Sequence, residues 1–228
     1  MIKLENTSVL GFESAFRGMR NPLNSWKKSD SVFVPEIKIG ENDMKLAKAL
    51  IKAGPADRKF LRMIHVQVDI TSSLYFFKEF DTYKISTVAD SCSTMHKIHS
   101  RDLTIDDFST EHLNDLMKGT LKGIIELMNL YRQKFIETKD KENWWQIIQM
   151  LPSSYNQRRT WDGNYETLMS MYFQRRNHKL DEWHTFCDWI LELPYMREFI
   201  GVLDERVKEI EEVPTEHMVD NLILNNQI

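Results

Sequence analysis

The sequence predicts an α+β fold, a helix-rich single domain over residues 1–228 with a small, mainly antiparallel sheet. Three observations carry this reading. Residues 61–70 alternate apolar and polar side chains as a half-buried strand does. Several later segments repeat apolar residues at helical spacing. The strand-like segments fall mainly within the first 70 residues. A chain of 228 residues can bury a proper core.

Taken in order, residues 1–40 mix short apolar alternations (Val32 and Val34, Ile37 and Ile39) with turn residues such as Asn21-Pro22, which reads as strands and loops. Asn42 is placed to cap a helix through Met44, Leu46, Leu50 and Ile51 that stops at Gly54-Pro55. In the next strand Ile64, Val66, Val68 and Ile70 share one face and Met63, His65, Gln67 and Asp69 the other. Ser72 or Ser73 starts a helix dense in aromatics (Tyr75, Phe76, Phe77, Phe80) that ends near Tyr83-Lys84, and a polar loop, residues 86–97, follows it.

Apolar residues from 113 to 135 at helical spacing give a long amphipathic helix from Ser109 to about Thr138. A helix through Trp144 and Trp145 ends at Pro152. Asn164 caps a helix that closes on Arg175 and Arg176. Leu180, Trp183, Phe186, Cys187 and Ile190 mark another, and Pro194 suits the first turn of the one after it. The tail from Pro214 is a short amphipathic piece suited to packing on a neighbouring subunit.

Composition narrows the function classes. A formal net charge of −4 leaves no global basic field for nucleic acid, so any anion site must be local. Two cysteines, Cys92 and Cys187, give neither a disulfide framework nor metal-ligand spacing, which reads as a reducing, cytoplasmic setting. The first residues are too polar for a signal peptide, and no apolar run reaches the roughly 20 residues of a membrane span. Glycine-rich nucleotide loops, HExxH, paired CxxC and GxSxG patterns are all absent from the sequence.

The most informative stretch is residues 151–183. Arg158 and Arg159 fall in a polar turn after Leu151-Pro152, and Arg175 and Arg176 end the helix that Asn164 starts. Guanidinium is permanently charged and presents a fork of donors, so two pairs flanking one helix point to a bound phosphate or planar polar ring. A structural explanation stands beside this one, because cations at a helix C-terminus complement the macrodipole by roughly 0.3–1 kcal/mol. Cys92 lies in the polar loop with His96 and Lys97 nearby in sequence. A structural or incidental thiol is the simpler reading there, since activation needs a cation or helix N-terminus at the sulfur. Core packing accounts for most of the six tryptophans, and His65 sits on the polar face of its strand.

The pattern Leu151, Pro152, Arg158, Trp161, Asn164, Arg175 and Trp183 resembles the C-terminal half of the flavin-dependent thymidylate synthases, with one extra residue between Arg175 and Trp183 that lets Arg176 take the role of Arg175. The resemblance runs from about Gly54 to Leu203. The family's RHRxxSxNExSxRY run corresponds to residues 82–95, where Lys84, Thr87, Asp90 and Cys92 are conservative replacements and Thr82, Tyr83, Ala89, Thr94 and Met95 are not. Divergence of this kind is similar to that of a phage or mobile-element member.

The resemblance implies reductive methylation of dUMP to dTMP, with FAD as cofactor and methylenetetrahydrofolate and NADPH as co-substrates. It also implies a homotetramer with its sites between subunits. By the same resemblance Arg158, Arg175, Arg176, Glu79, Asp90, Cys92 and Ser93 hold the nucleotide, and Thr82, Tyr83, Lys84, Thr87 and Asn164 touch the flavin. No metal, membrane or nucleic-acid partner is implied. Two other readings keep the fold: a pyrimidine nucleotide hydroxymethylase with altered cofactor use, and a catalytically inactive nucleotide-binding or assembly protein.

Overall fold

The apolar alternation between residues 61 and 70 builds one of the two central strands of the sheet. In the computed structural model, which describes residues 2–211, β1 (Lys3–Leu10), β2 (His65–Ser73), β3 (Val88–Ser91) and β4 (Asn156–Asn164) form one antiparallel sheet in the order β1-β2-β4-β3. Nine α-helices are described: α1 (Phe12–Met19), α2 (Glu41–Ala53), α3 (Leu74–Phe80), α4 (Thr94–Lys97), α5 (Asp115–Thr138), α6 (Lys141–Met150), α7 (Tyr165–Arg175), α8 (Asp181–Glu192) and α9 (Met196–Glu211). The α+β class is therefore as expected, but the first 73 residues supply only two of the four strands. The chain divides into two compact units, residues 2–10 with 64–191 and residues 11–63 with 192–211. The tail from Pro214 lies outside the described residues.

In the first unit, Ile64, Val66, Val68 and Ile70 are all at most 1% exposed, so the predicted apolar face is the buried one. The Ser73 hydroxyl accepts the Phe76 amide and starts α3, which packs Phe76 and Phe80 against Trp161, Trp183 and Phe186. Helix α3 stops at Phe80, short of the expected Tyr83-Lys84, because the Thr82 and Tyr83 amides bond back to Glu79 and Phe80 in tight turns.

The largest correction concerns residues 156–164, expected as a polar turn and found as β4, paired along its length with β2. Its run Asn-Gln-Arg-Arg-Thr-Trp-Asp-Gly-Asn lacks β-branched apolar residues, yet Trp161 and Gly163 give it a buried face. The Trp161 ring lies across Gly163, where a Cβ would meet it at 2.1 Å. Residues 86–97, expected as a loop, instead contribute β3 and α4. Helix α5 begins at Asp115, capped by Asn114, and not at Ser109. The Ser109 amide is bonded to the Ser154 carbonyl beside the Phe108–Tyr155 bridge, which holds that residue extended. Helices α5 and α6 enclose a satellite core of Leu121, Ile125, Met128 and Ile147 with Ile98, Leu103 and Phe108.

In the second unit, Gly40 precedes α2 in place of the expected Asn42. The Asp30 carboxylate reaches across to accept the Asn42 and Asp43 amides, doing the cap's work from a loop. Gly54, at φ +117°, ends the helix as predicted. Val32 and Val34 are exposed, and a single bridge from Val32 to Lys38 replaces the expected strands. Burial opposes charge on Asp43, but hydrogen bonds from Ser31, Ser29 and Arg20 outweigh it and hold the carboxyl below its usual range. Tyr195 accepts the Ile39 amide and donates to the Ile37 carbonyl just ahead of α9. Among the described residues no helix is long and apolar enough to cross a membrane.

Replacing Gly163 by alanine forces a methyl into the Trp161 ring, so Gly163→Ala should lower stability by about 1–3 kcal/mol. Urea unfolding followed by tryptophan fluorescence measures this, and an unchanged midpoint would refute the packing described for β4.

Candidate functional site

Adjacent strand residues point to opposite faces, so β4 sends Arg158, Thr160 and Asp162 to the open side of the sheet and Arg159, Trp161 and Gly163 to the side covered by helices. On the open side Asp69 organises the charges. It accepts the Thr160 hydroxyl at 2.6 Å, the Asn6 amide at 2.8 Å and Arg158 Nη2 at 2.7 Å. Thr160, Asn6 and Arg158 in that order hold its carboxyl far below the usual carboxylate range. Glu5 lies 3.4 Å from Arg158 Nη1, and His65 Nδ1 lies 3.2 Å from Asp162.

Beside this group opens a cavity of about 380 Å³, within the size range of small-molecule sites. Its charged lining sets Lys3, Lys97, Arg101 and Arg158 against Asp106 and Asp107, so cations outnumber carboxylates, and its hydroxyl- and thiol-bearing wall comes from Cys92, Ser93 and Thr94. Arg101 is bound to Asp107 and Arg158 to Asp69 and Glu5, leaving Lys3 and Lys97 as the cationic groups of the lining that make no ion pair among the described residues. The wall follows directly from β3. The Cys92 amide bonds to the Arg158 carbonyl at 2.9 Å, and the Ser93 hydroxyl accepts the His96 amide to start α4. An acidic chain thus carries a local cationic hollow.

On the covered side Arg159 Nη1 bonds to Asp81 at 2.6 Å, and its guanidinium lies 3.8 Å above the Phe77 ring. Further along, Arg175 donates from Nη1 to Glu79 at 2.9 Å and from Nε to the Tyr83 hydroxyl at 2.8 Å, with its guanidinium carbon 4.9 Å from the centre of the Trp183 ring. The same Glu79 oxygen receives Trp183 Nε1 and lies 2.9 Å from His178 Nε2. Because His178 Nδ1 accepts the Leu180 amide, the neutral ring carries its proton on Nε2 and donates to Glu79. Two neighbouring cavities, about 290 and 390 Å³, share Tyr83 and Lys84; the second is closed by Glu166 and Thr167 in the first turn of α7.

The expectation that Arg158 and Arg175 meet in one pocket fails within a single chain, because the sheet lies between them. Cys92, Ser93 and Arg158 come together at the 380 Å³ cavity, and Asp90 lies on the same face opposite Thr160. Glu79 and Arg175 belong to the cluster across the sheet, and Arg176 packs on Tyr172 and Phe173. Thr82, Tyr83, Lys84 and Thr87 line the two cavities there. Asn164 is buried, and its side chain is taken by the Thr167 amide, so it builds the helix start. Sequence reasoning missed Lys3, Asp69, Gln157 and His178. Of these only Gln157 lies in residues 156–164, whose hidden alternation would have pointed to it.

The sequence matches no protein-family model and no curated protein. Its structure does have counterparts. A crystal structure of thymidylate synthase X (ThyX) from Helicobacter pylori with FAD and dUMP superposes with a TM-score of 0.68 at 14% identity, over 88% of this chain and 97% of that one. A second, of flavin-dependent thymidylate synthase ThyX from Helicobacter pylori complexed with FAD and dUMP, gives 0.62 at 15% identity, over 87% and 96%. The chain has the fold of the flavin-dependent thymidylate synthases. At this identity the likeness establishes architecture, as residues 151–183 led us to expect.

The two thiols differ sharply in environment. Cys92 is exposed, whereas burial pushes the Cys187 thiol up to about 11. A thiol reagent at pH 8 should therefore titrate one cysteine per folded chain and the second only on unfolding. Cys92→Ser should leave none accessible in the folded protein; a rapidly reacting thiol in that variant would contradict the assigned burial.

Proposed function

We propose that the chain is an enzyme that modifies C5 of a pyrimidine deoxynucleotide, converting dUMP to dTMP with FAD, methylenetetrahydrofolate and NADPH. The observation that carries this reading is the cationic cavity walled by residues 92–94 and Arg158, in a fold whose structural neighbours were crystallised with FAD and dUMP. A nucleoside monophosphate suits the cavity's chemistry. Lys3, Lys97 and Arg158 take the phosphate, and Cys92 and Thr94 line the space left for sugar and base. The chain's share of the reaction is to hold the ring in one pose and exclude water from C5.

The residues around Lys84 fit a flavin nucleotide in kind. Lys84 offers a cation, Tyr83 a ring, and the first turn of α7 the partial positive charge of a helix N-terminus. When bound, reduced flavin supplies the hydride that completes the methyl group. The Glu79–Arg175–Tyr83 cluster, fixed by His178 and Trp183, would orient Tyr83 at that site.

We further propose that complete sites form between copies of the chain in a homotetramer. Arg158 and Arg175 lie on opposite sides of one sheet, so a second copy is needed to bring such a pair together. An exposed seam on α5 supports assembly: Leu116, Thr120, Gly123, Leu127 and Leu130 recur at spacings of three and four, and Gly119 and Gly123 have open space where a Cβ would be. Pyrimidine hydroxymethylation is a second reading. It is favoured by the neutral Thr82 at the position where the resembling family carries its first cation beside the flavin.

Purified protein should show flavin absorbance near about 450 nm, bind dUMP by calorimetry, and form dTMP with reduced flavin and methylenetetrahydrofolate. Arg158→Ala should weaken dUMP binding about 10- to 100-fold, since it removes a charge-assisted bond and leaves Asp69 and Glu5 facing the phosphate. A colourless protein that binds dUMP, or one that releases hydroxymethylated product, would favour the second reading or an inactive binding protein. Unchanged affinity in Arg158→Ala would refute the cavity assignment.

A further inference from the structure

We infer that Gln157 is a positioning residue whose side-chain amide sets the 92–94 wall of the 380 Å³ cavity, and that Arg159 in turn fixes that amide. The inference rests on the proposed use of this cavity for a nucleotide. The β3–β4 ladder ends at the pair Ser91 and Arg159, and one last backbone bond, from the Cys92 amide to the Arg158 carbonyl, follows it. Beyond that point the chain turns away into α4. Gln157 then continues with its side chain where the ladder stops: Nε2 donates to the Cys92 carbonyl at 2.9 Å and to Thr94 Oγ1 at 3.2 Å.

An isolated glutamine amide has two nearly equivalent orientations, and this one has only one. Its Oε1 accepts from Arg159 Nε at 3.0 Å. A guanidinium nitrogen can only donate and a backbone carbonyl can only accept, so the flipped amide would lose the Arg159 and Cys92 bonds together. Arg159 cannot follow a flip, because Asp81 holds Nη1 at 2.6 Å and the guanidinium lies on Phe77, itself 1% exposed. A rigid series of contacts thus runs from the aromatic core through Arg159 and Gln157 to Cys92 and Thr94. Gln157 and residues 92–94 also form the wall shared with a second cavity of about 480 Å³ into which Arg159 opens.

Strand β4 is hydrogen-bonded to strands on both sides, so its fold does not depend on these two side-chain bonds. The placement of the wall does. Gln157→Glu keeps the acceptor for Arg159 but sets an oxygen against the Cys92 carbonyl; Gln157→Ala removes both contacts; Arg159→Lys keeps the charge for Asp81 but frees the amide to flip.

The test measures amide hydrogen exchange, melting temperature and dUMP affinity on the full chain. In Gln157→Glu and Gln157→Ala, exchange over residues 92–97 should quicken about tenfold or more while β2 and β4 amides keep their protection. Affinity for dUMP should fall about tenfold, with melting temperature nearly unchanged. Wild-type exchange over 92–97 in Gln157→Glu would overturn the inference whatever the ligand does, and wild-type exchange in Arg159→Lys would overturn the part given to Arg159. Native protein that fails to bind dUMP would instead defeat the functional reading, and exchange would still decide what Gln157 does.

Discussion

Neighbouring residues of a strand must face opposite ways, and in β4 the neighbours are two arginines. That constraint divides the charges of the whole first unit. Arg158 goes to the open side, where Asp69 and Glu5 meet it, and Arg159 goes under the sheet to Phe77 and Asp81. Shifting the register of β4 by one residue would exchange the two and bring Trp161 to the open side, losing the contact that joins it to Phe80. The position of the cavity, the direction of Gln157 and the separation of Arg158 from Arg175 all follow from this alternation.

Fixed guanidinium groups need partners when no ligand is bound, and both sides of the sheet supply carboxylates. Glu79 shows how far this goes: one oxygen takes bonds from Arg175, Trp183 and His178, three donors from α7, α8 and the turn between them. Such pairs hold a side chain in a defined direction more than they add stability, because the desolvation cost of the charges offsets much of their attraction. What they give is preorganisation, a set of donors held in fixed directions. At the cavity the anchoring is uneven. Arg158 is held firmly by Asp69, while Lys3 and Lys97 make no ion pair among the described residues and keep their charge for the space in front of them.

Much of the architecture was legible where burial leaves a periodic trace. The alternation of Ile64, Val66, Val68 and Ile70, the aromatic density of α3 and the caps at Ser73 and Asn164 are local signals with local causes. Strand β4 was not legible, because one of its faces is polar and the other is filled by a single tryptophan lying on a glycine, too few residues for hydropathy to detect. Among the candidate site residues, Arg158 was singled out by its chemistry and Cys92 and Ser93 by resemblance, and the three line one cavity. The expected meeting of Arg158 and Arg175 was wrong for one chain, since sequence spacing carries no information about which side of a sheet a later helix will cover. Asp69 and Gln157 escaped notice because their importance comes only from strand register.

The proposed homotetramer joins Arg158 of one copy to Arg175 of another in each nucleotide site, and subunit mixing tests this most directly. Arg158→Ala and Arg175→Ala chains, each deficient alone, are unfolded, mixed in equal amounts and refolded together, and the number of dUMP sites is counted by calorimetry. Random pairing restores both arginines to about a quarter of the sites, so binding should return to about 25% of the native stoichiometry. A mixture that binds no more dUMP than either variant alone would show that each site belongs to a single chain, contrary to this account.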